Sequence, residues 1–263
     1  MIDEPLVRFG IENGVATITL NRPDSGNAIN LDLAKQLLQH VISCDYDSDI
    51  RVVLIKGEGK IFCAGGDVGS FAAAGSKAPN YLNQLAGILH LSVSRIVRMR
   101  KPVVTQIHGA AAGAGFPLAM AGDIVIASEN AKFTTAYTGI GLTADGASTW
   151  LLPRLLGLRK AQDLLLTGRT VTAAEADQMG LLTRIVPAAD LEVAVRKSID
   201  QLILAPTNAL GRIKNLLADT YSSGLETQME IESRYIADAA SGPEAKEGIA
   251  AFLEKRKPDF IPK

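Results

Sequence analysis

Two kinds of hydrophobic spacing alternate along the chain. LVRFGIENGVATITLN (6–21) sets apolar against polar positions in two runs joined by Asn13-Gly14. Such alternation marks a strand with one buried face, and Asn-Gly suits a tight turn, so the stretch predicts a β-hairpin. From Leu31 to Cys44 the spacing lengthens: Ala34, Leu37, Leu38 and Val41 fall on one face of a helix. IRVVLIKG (50–57) is a short, continuous apolar run closed by glycine, the pattern of a buried strand. A glycine-rich stretch, GEGKIFCAGGDVGSF (57–71), leads to a helix predicted from Tyr81 to Met99. PVVTQI (102–107) reads as another buried strand, AGAGFPLAMA (112–121) as a small-residue helix and DIVIAS (123–128) as a third strand. Strands alternating with helices predict β-α units around a mostly parallel sheet, hence an α/β fold. After Gly146 the pattern is almost wholly helical, through RKAQDLLLTG, TAAEADQMG and amphipathic stretches to Lys257.

Composition narrows the picture. The 263 residues are 47% hydrophobic and 21% charged, enough to bury a sizeable core. With 27 basic and 28 acidic side chains the net charge is −1, which argues against nucleic acid as a partner, since a phosphate backbone requires a basic face. Cys44 and Cys63 lack metal-ligand spacing and suit a reducing compartment. MIDEPLVRF at the N-terminus has neither a signal peptide's apolar core nor a transit pattern. Residues 102–127 are the one membrane suspect, with small residues Gly109 and Gly113 suitably spaced, but His108, Pro117 and Asp123 interrupt them. The expectation is a cytoplasmic protein with no membrane partner.

Three short stretches carry candidate chemistry. FCAGGDV follows VVLI, and HGAAAGAG follows VVTQI. Gly and Ala leave the main chain uncovered, so each turn brings backbone N–H groups close to a ligand. The second also opens a helix, whose first amides are unpaired and partly positive. Two such amides on one oxygen form an oxyanion hole, each donor contributing on the order of 10²–10³ in rate. Close helix-to-sheet packing explains either turn taken alone. There is no GxxxxGK phosphate loop, and GAGFPLA lacks the third glycine of a dinucleotide fingerprint. In TADGASTW (143–150), Asp145 is the only charged side chain from Phe133 to Pro153. It reads as a helix N-cap or as a functional carboxylate in an apolar setting.

LNRP (20–23), NAIN (27–30), FCAGGDV (62–68), HGAAAGAGFPLAMAGD (108–123), TGRTVTAAEADQMGLL (167–182) and FLEKRKPDF (252–260) resemble, in order, the crotonase (enoyl-CoA hydratase/isomerase) superfamily. The resemblance implies a crotonase fold: repeated ββα units forming a spiral core over 1–200, then a helical oligomerisation region over 201–263 that makes a homotrimer or a dimer of trimers. It implies an acyl-CoA thioester substrate whose carbonyl oxygen lies between the amides of Gly66 and Ala114. CoA-contacting positions of the family match Arg22, Ala28, Ala64, Asp67 and Val68, with Phe252 and Lys255 supplied by a neighbouring subunit. No metal or redox cofactor is implied; coenzyme A enters within the substrate, in fatty acid or aromatic acid degradation.

The chain departs from the hydratases of that family. Hydration needs one carboxylate to activate water and one to protonate the α-carbon. The two hydratase glutamates fall at Pro117 and Tyr137. Asp145 matches the working aspartate of other branches. The segment 131–157 is most similar to the ring-opening and ring-expanding isomerases of phenylacetate breakdown and to Δ3,Δ2-enoyl-CoA isomerases. That likeness implies that Asp145 moves a proton from C2 to C4 of a thioester dienolate, with apolar neighbours Leu142, Ala144, Ala147 and Trp150 raising its pKa. A second reading is a hydrolase similar to 4-chlorobenzoyl-CoA dehalogenase, with Asp145 as nucleophile and His90 as base. Against it, Tyr137 stands where that branch has tryptophan, and from Phe71 to His90 only Phe71 and Tyr81 are aromatic. A hydratase-like lyase and a non-catalytic acyl-CoA-binding protein are the remaining alternatives. Tyr137 reads as a pocket wall or core residue ahead of a partner for Asp145, His108 as structural and Cys63 as packing.

Overall fold

Asn13 and Gly14 adopt left-handed backbone angles (φ 49° and 78°) and fold β1 (Val7–Glu12) onto β2 (Val15–Leu20), Glu12 opposite Val15. The hairpin is thus as the alternation predicts. The computed structural model describes residues 4–261; residues 1–3 and 262–263, at the ends of the two predicted parts, lie outside them. Asn30 caps α1 (Leu31–Tyr46) by accepting the Leu33 N–H at 2.9 Å, and Leu33, Ala34, Leu37 and Val41 bury one face of the helix. β3 (Val52–Gly57), α2 (Val68–Ala73) and α3 (Ala78–Arg98) follow. The last begins ahead of the predicted Tyr81, because Pro79 in its first turn suits a helix start.

Next come β4 (Val103–Ile107), β5 (Ala110–Ala112) and α4 (Gly115–Met120), then β6 (Ile124–Ser128), β7 (Lys132–Thr134), α5 (Ser148–Leu156) and α6 (Leu158–Thr167). The small-residue helix is therefore shorter than predicted, Ala112 ending a strand and Gly113 and Ala114 forming a turn. β8 (Thr170–Thr172), α7 (Ala173–Met179) and β9 (Arg184–Val186) precede α8 (Leu191–Ile203), α9 (Thr207–Asp219), α10 (Leu225–Ala240) and α11 (Pro243–Leu253). β8 and β9 interrupt the almost wholly helical chain expected after Gly146. Each is three residues long and pairs with a strand distant in sequence, so neither leaves a local period.

The large sheet has the order β1-β2-β3-β4-β6-β9 and is parallel beyond the hairpin. One face packs on α1 and α3, with Ile18, Ile55, Leu37 and Ile96 fully buried. The other packs Val52, Leu54, Val104 and Ile126 against Leu191, Val195 and Ile199 of α8. Strands covered on both faces read as continuous apolar runs, hence VVLI and PVVTQI. α8 runs through the junction predicted at residues 200–201.

A smaller sheet has the order β5-β7-β8. β4-β5-α4 and β6-β7-α5 each place one strand in the large sheet, a short one in the small sheet, and then a helix. This repeat is the ββα spiral of the crotonase fold. Lys214 of α9 ties the C-terminal helices to it, donating to Asp123 Oδ2 (2.7 Å), the Ile96 carbonyl (2.8 Å) and the Lys101 carbonyl (3.1 Å). No helix among the described residues is long and apolar enough to cross a membrane.

Candidate active site

The two small-residue loops are laced together. Cys63 N–H donates to the Ala110 carbonyl (3.1 Å) and Ala112 N–H to the Cys63 carbonyl (2.9 Å). The approach leaves no room for side chains: a Cβ on Gly65 (φ 98°) would lie 2.7 Å from the Ala112 oxygen, and one on Gly115 2.6 Å from the Cys63 oxygen. On the opposite edge, Ile29 N–H donates to the Gly65 carbonyl (2.7 Å) and Asp67 N–H to the Ile29 carbonyl (3.0 Å). In a parallel pairing of this kind the intervening residue turns its own N–H away, so Gly66 N–H points away from Ile29. Among the described residues neither Gly66 N–H nor Ala114 N–H has a protein acceptor. Both residues line a cavity of about 340 Å³. An unpaired, sheltered amide is costly unless a ligand oxygen takes it up.

Side chains fix the first loop from behind. Asn27, fully buried and left-handed (φ 56°), donates through Nδ2 to the carbonyls of Glu58 (2.8 Å) and Ile61 (2.9 Å) and accepts Arg22 N–H (2.8 Å). The Arg22 guanidinium bonds the Ala28 carbonyl and Asp67 Oδ2 (3.0 Å), while Asp67 Oδ1 caps α2 through Ser70 N–H (3.1 Å). Partial burial would raise the Asp67 carboxyl, but the Ser70 amide and Arg22 outweigh it and hold the group below its ordinary value. Arg22, Ala28, Ala64, Asp67 and Val68 are thereby brought together beside Gly66, and Ala64 and Val68 line the cavity. Phe252, 83% exposed at the end of α11, and Lys255 are not brought to this cavity within the chain.

Asp145 sits in a turn rather than at a helix cap. The N-cap position of α5 is Ala147, left-handed (φ 67°) and without a side-chain cap bond, so the N-cap reading of Asp145 is corrected. Gly146 is left-handed as well (φ 59°), and a Cβ there would lie 2.7 Å from Pro117 Cγ. Pro117, where the resemblance sets a hydratase acid, thus packs behind the turn. The Asp145 carbonyl accepts three hydrogen bonds: Ser148 N–H (3.0 Å), the Ser148 hydroxyl (2.7 Å) and the Tyr137 hydroxyl (3.2 Å). Its carboxylate Oδ1 is buried and has no hydrogen-bond partner. Burial pushes the Asp145 carboxyl above its ordinary value, with the Tyr137 hydroxyl opposing. Asp145 is the only charged residue among those lining the cavity; the walls are chiefly Ile29, Leu82, Leu85, Leu89, Ile140 and Leu142 with the rings of Phe71 and Tyr137.

Tyr137 is both wall and partner, but its bond goes to the backbone of residue 145. Burial, reinforced by the Asp145 charge, keeps its hydroxyl protonated. His90, on α3, does not line the cavity, and its Nε2 accepts Gly146 N–H at 3.0 Å. That lone pair is directed at the backbone of the turn that carries Asp145. Cys63 donates to the Asn27 carbonyl (3.2 Å), and burial pushes its thiol up to about 12, as befits a packing residue. His108 Nε2 bonds the Gly59 carbonyl (3.0 Å), a structural contact. Among the described residues no cluster of His, Cys, Asp or Glu is arranged to hold a metal ion. Two contributors escaped the sequence reading. Ser148 was signalled only by its three-residue spacing from Asp145, a local side-chain-to-backbone pattern. Phe71 left no signal: its ring packs where a Gly66 Cβ would be, 2.5 Å from Cζ.

Comparison with known proteins gives the family of the chain. The family model described as enoyl-CoA hydratase/isomerase matches residues 10–263. The chain is similar to the 1,2-epoxyphenylacetyl-CoA isomerase of Escherichia coli (36% identity, covering 96% of this chain and 97% of the relative). It is also similar to a probable enoyl-CoA hydratase of Rhodobacter capsulatus (35% identity, 97% of each chain). Among solved structures it is similar to an enoyl-CoA hydratase from Polaromonas sp. JS666, with TM-score 0.92, 34% identity and coverage of 96% and 98%.

Proposed function

The chain belongs to the enoyl-CoA hydratase/isomerase family, and we propose that within it the protein is an isomerase, moving the double bond of an apolar enoyl-CoA from the Δ3 to the Δ2 position. One observation carries the reading. The cavity holds a single carboxylate, Asp145, with one oxygen buried and unpaired, in the same chamber as the unpaired amides of Gly66 and Ala114. Pro117 and Tyr137, at the two positions of the hydratase acids, offer no carboxylate for hydration. The similarity to a 1,2-epoxyphenylacetyl-CoA isomerase supports the same choice.

The chemistry then needs only this chain's groups. The thioester carbonyl oxygen accepts N–H from Gly66 and Ala114, which stabilises the charge that develops there when C2 loses a proton. Asp145 takes that proton, and the electron pair spreads over C2, C3, C4 and the carbonyl as a dienolate. The carboxylic acid so formed returns the proton at C4, leaving the conjugated thioester and a regenerated carboxylate. A base held above the ordinary carboxyl value drives the first step better. The aliphatic walls suit a hydrocarbon acyl group and keep water from the intermediate. No metal or redox cofactor enters. Phe252 and Lys255 reach coenzyme A only from a neighbouring copy, so the proposal includes a homotrimer or a dimer of trimers.

The test is incubation with a 3-enoyl-CoA in D₂O, wild type beside Asp145→Asn, followed by ultraviolet absorbance and mass. Wild type yields the conjugated thioester, and the variant loses about 10²–10⁴ in rate, the usual contribution of a positioned acid-base group. A wild type that neither isomerises the substrate nor exchanges its α-hydrogens refutes the reading.

A further inference from the structure

We propose that His90 is a positioning residue that aims the Asp145 carboxylate by holding the peptide plane joining Asp145 to Gly146. The inference rests on the reading of Asp145 as the base and extends it to the element that orients that base.

A carboxylate is ordinarily oriented by the hydrogen bonds made to its own oxygens. Asp145 Oδ1 has none, as a group that must accept and return a substrate proton requires. Apart from the Tyr137 hydroxyl, orientation therefore falls on the backbone. The peptide plane following Asp145 is gripped at both ends: its carbonyl by Tyr137 and Ser148, and its N–H by His90 Nε2 at 3.0 Å. An acceptor nitrogen carries no proton, so a ring making this bond has its hydrogen on Nδ1. The grip is needed because Gly146 and Ala147 are successive left-handed residues. Such a turn, with a non-glycine residue in that region, persists only when its surroundings over-determine it. Pro117 bears on Gly146 from another side and fixes position, but it offers no hydrogen bond.

The helix making this bond is also the acyl wall. Leu82, Leu85 and Leu89 of α3 line the cavity, and His90 is the next residue along. A substrate that presses on α3 thus presses on the support of the base, coupling acyl fit to carboxylate aim.

The test compares wild type, His90→Ala and His90→Gln by kinetics and by ring-nitrogen NMR. An exposed helical site tolerates alanine, so the variants fold. His90→Ala is expected to lower kcat roughly ten- to a hundredfold, the range for one lost hydrogen bond and a misaimed group, with KM within about twofold of wild type. His90→Gln, whose carbonyl oxygen still accepts an N–H, recovers most of the loss. Wild-type NMR shows an unprotonated Nε2 coupled to the Gly146 N–H. If alanine leaves kcat unchanged, or glutamine is as impaired as alanine, the positioning role is overturned; the latter outcome makes the ring itself the reacting group. A proton found on Nε2 overturns it regardless of substrate. If NMR shows the bond yet wild type isomerises nothing, the isomerase reading is what fails.

Discussion

Asp123 and Asp145 are two carboxylates at the edges of the same core, furnished in opposite ways. Asp123 Oδ2 receives Lys214 Nζ and Val103 N–H, both at 2.7 Å, and its side chain keeps 30% of its surface. Asp145 is held differently: Oδ1 meets no donor, and the Ser148 bonds go to its backbone carbonyl. The first arrangement uses charge to join α9 to the end of the sheet. The second leaves charge unsatisfied inside an apolar chamber. A withdrawn carboxylate is thus diagnostic only together with its partners: satisfied, it fastens; unsatisfied, it awaits a proton.

The comparison can be broken first at Asp123. Asp123→Ala strands the Lys214 ammonium, 9% exposed, with only carbonyl partners, and is expected to cost about 2–4 kcal/mol, somewhat less than a fully buried pair. Replacing both partners by Asp123→Leu with Lys214→Met recovers most of it, and urea denaturation reads the difference. Recovery of nothing by the double variant shows that the ion pair does more than join helix to sheet.

Asp145 sharpens the contrast through pH. Its raised pKa means that the native state binds the proton more tightly than the unfolded chain, so the ionised carboxylate weakens the fold above that pKa. Asp145→Asn should therefore be more stable than wild type at neutral pH. The advantage shrinks as pH falls through the raised value towards the ordinary 3.8. Wild-type activity moves the other way, falling with acid over the same window as the base is protonated. Melting temperature and initial rate, measured across pH, should run in opposite directions; parallel curves would remove Asp145 from the role.

The smallest effect is expected at Tyr137. Tyr137→Phe removes one of three donors to the Asp145 carbonyl while Ser148 keeps two, costing about 0.5–1.5 kcal/mol with a several-fold loss of kcat. A loss as large as that of Asp145→Asn would give the hydroxyl a direct part in proton transfer.

What the sequence disclosed followed from local physics. VVLI and PVVTQI announced strands because both faces of the sheet are covered. FCAGGDV and HGAAAGAG announced exposed amides because glycine was the only residue that could pass. Asp145 stood out by its isolation, and Pro117 and Tyr137 by what they are not. The rest depended on contacts between residues distant in sequence. β8 and β9 pair across long separations, and His90 finds Gly146 across the fold. The N-cap misreading of Asp145 has a similar origin: two left-handed residues intervene before α5, and alanine does not advertise such a conformation.

The lacing of the two loops has a consequence for motion. Because Cys63 is bonded to both Ala110 and Ala112, and Gly65 fits against Ala112 and Gly113 without a gap, a displacement of either loop carries the other with it. The amides of Gly66 and Ala114 therefore fluctuate as one body, and thermal agitation does little to pull them apart. The turn of the carboxylate is seated on the same body, because Gly146 packs against Pro117 three residues beyond Ala114. The hole thus behaves as a fixed frame of reference to which the base is keyed.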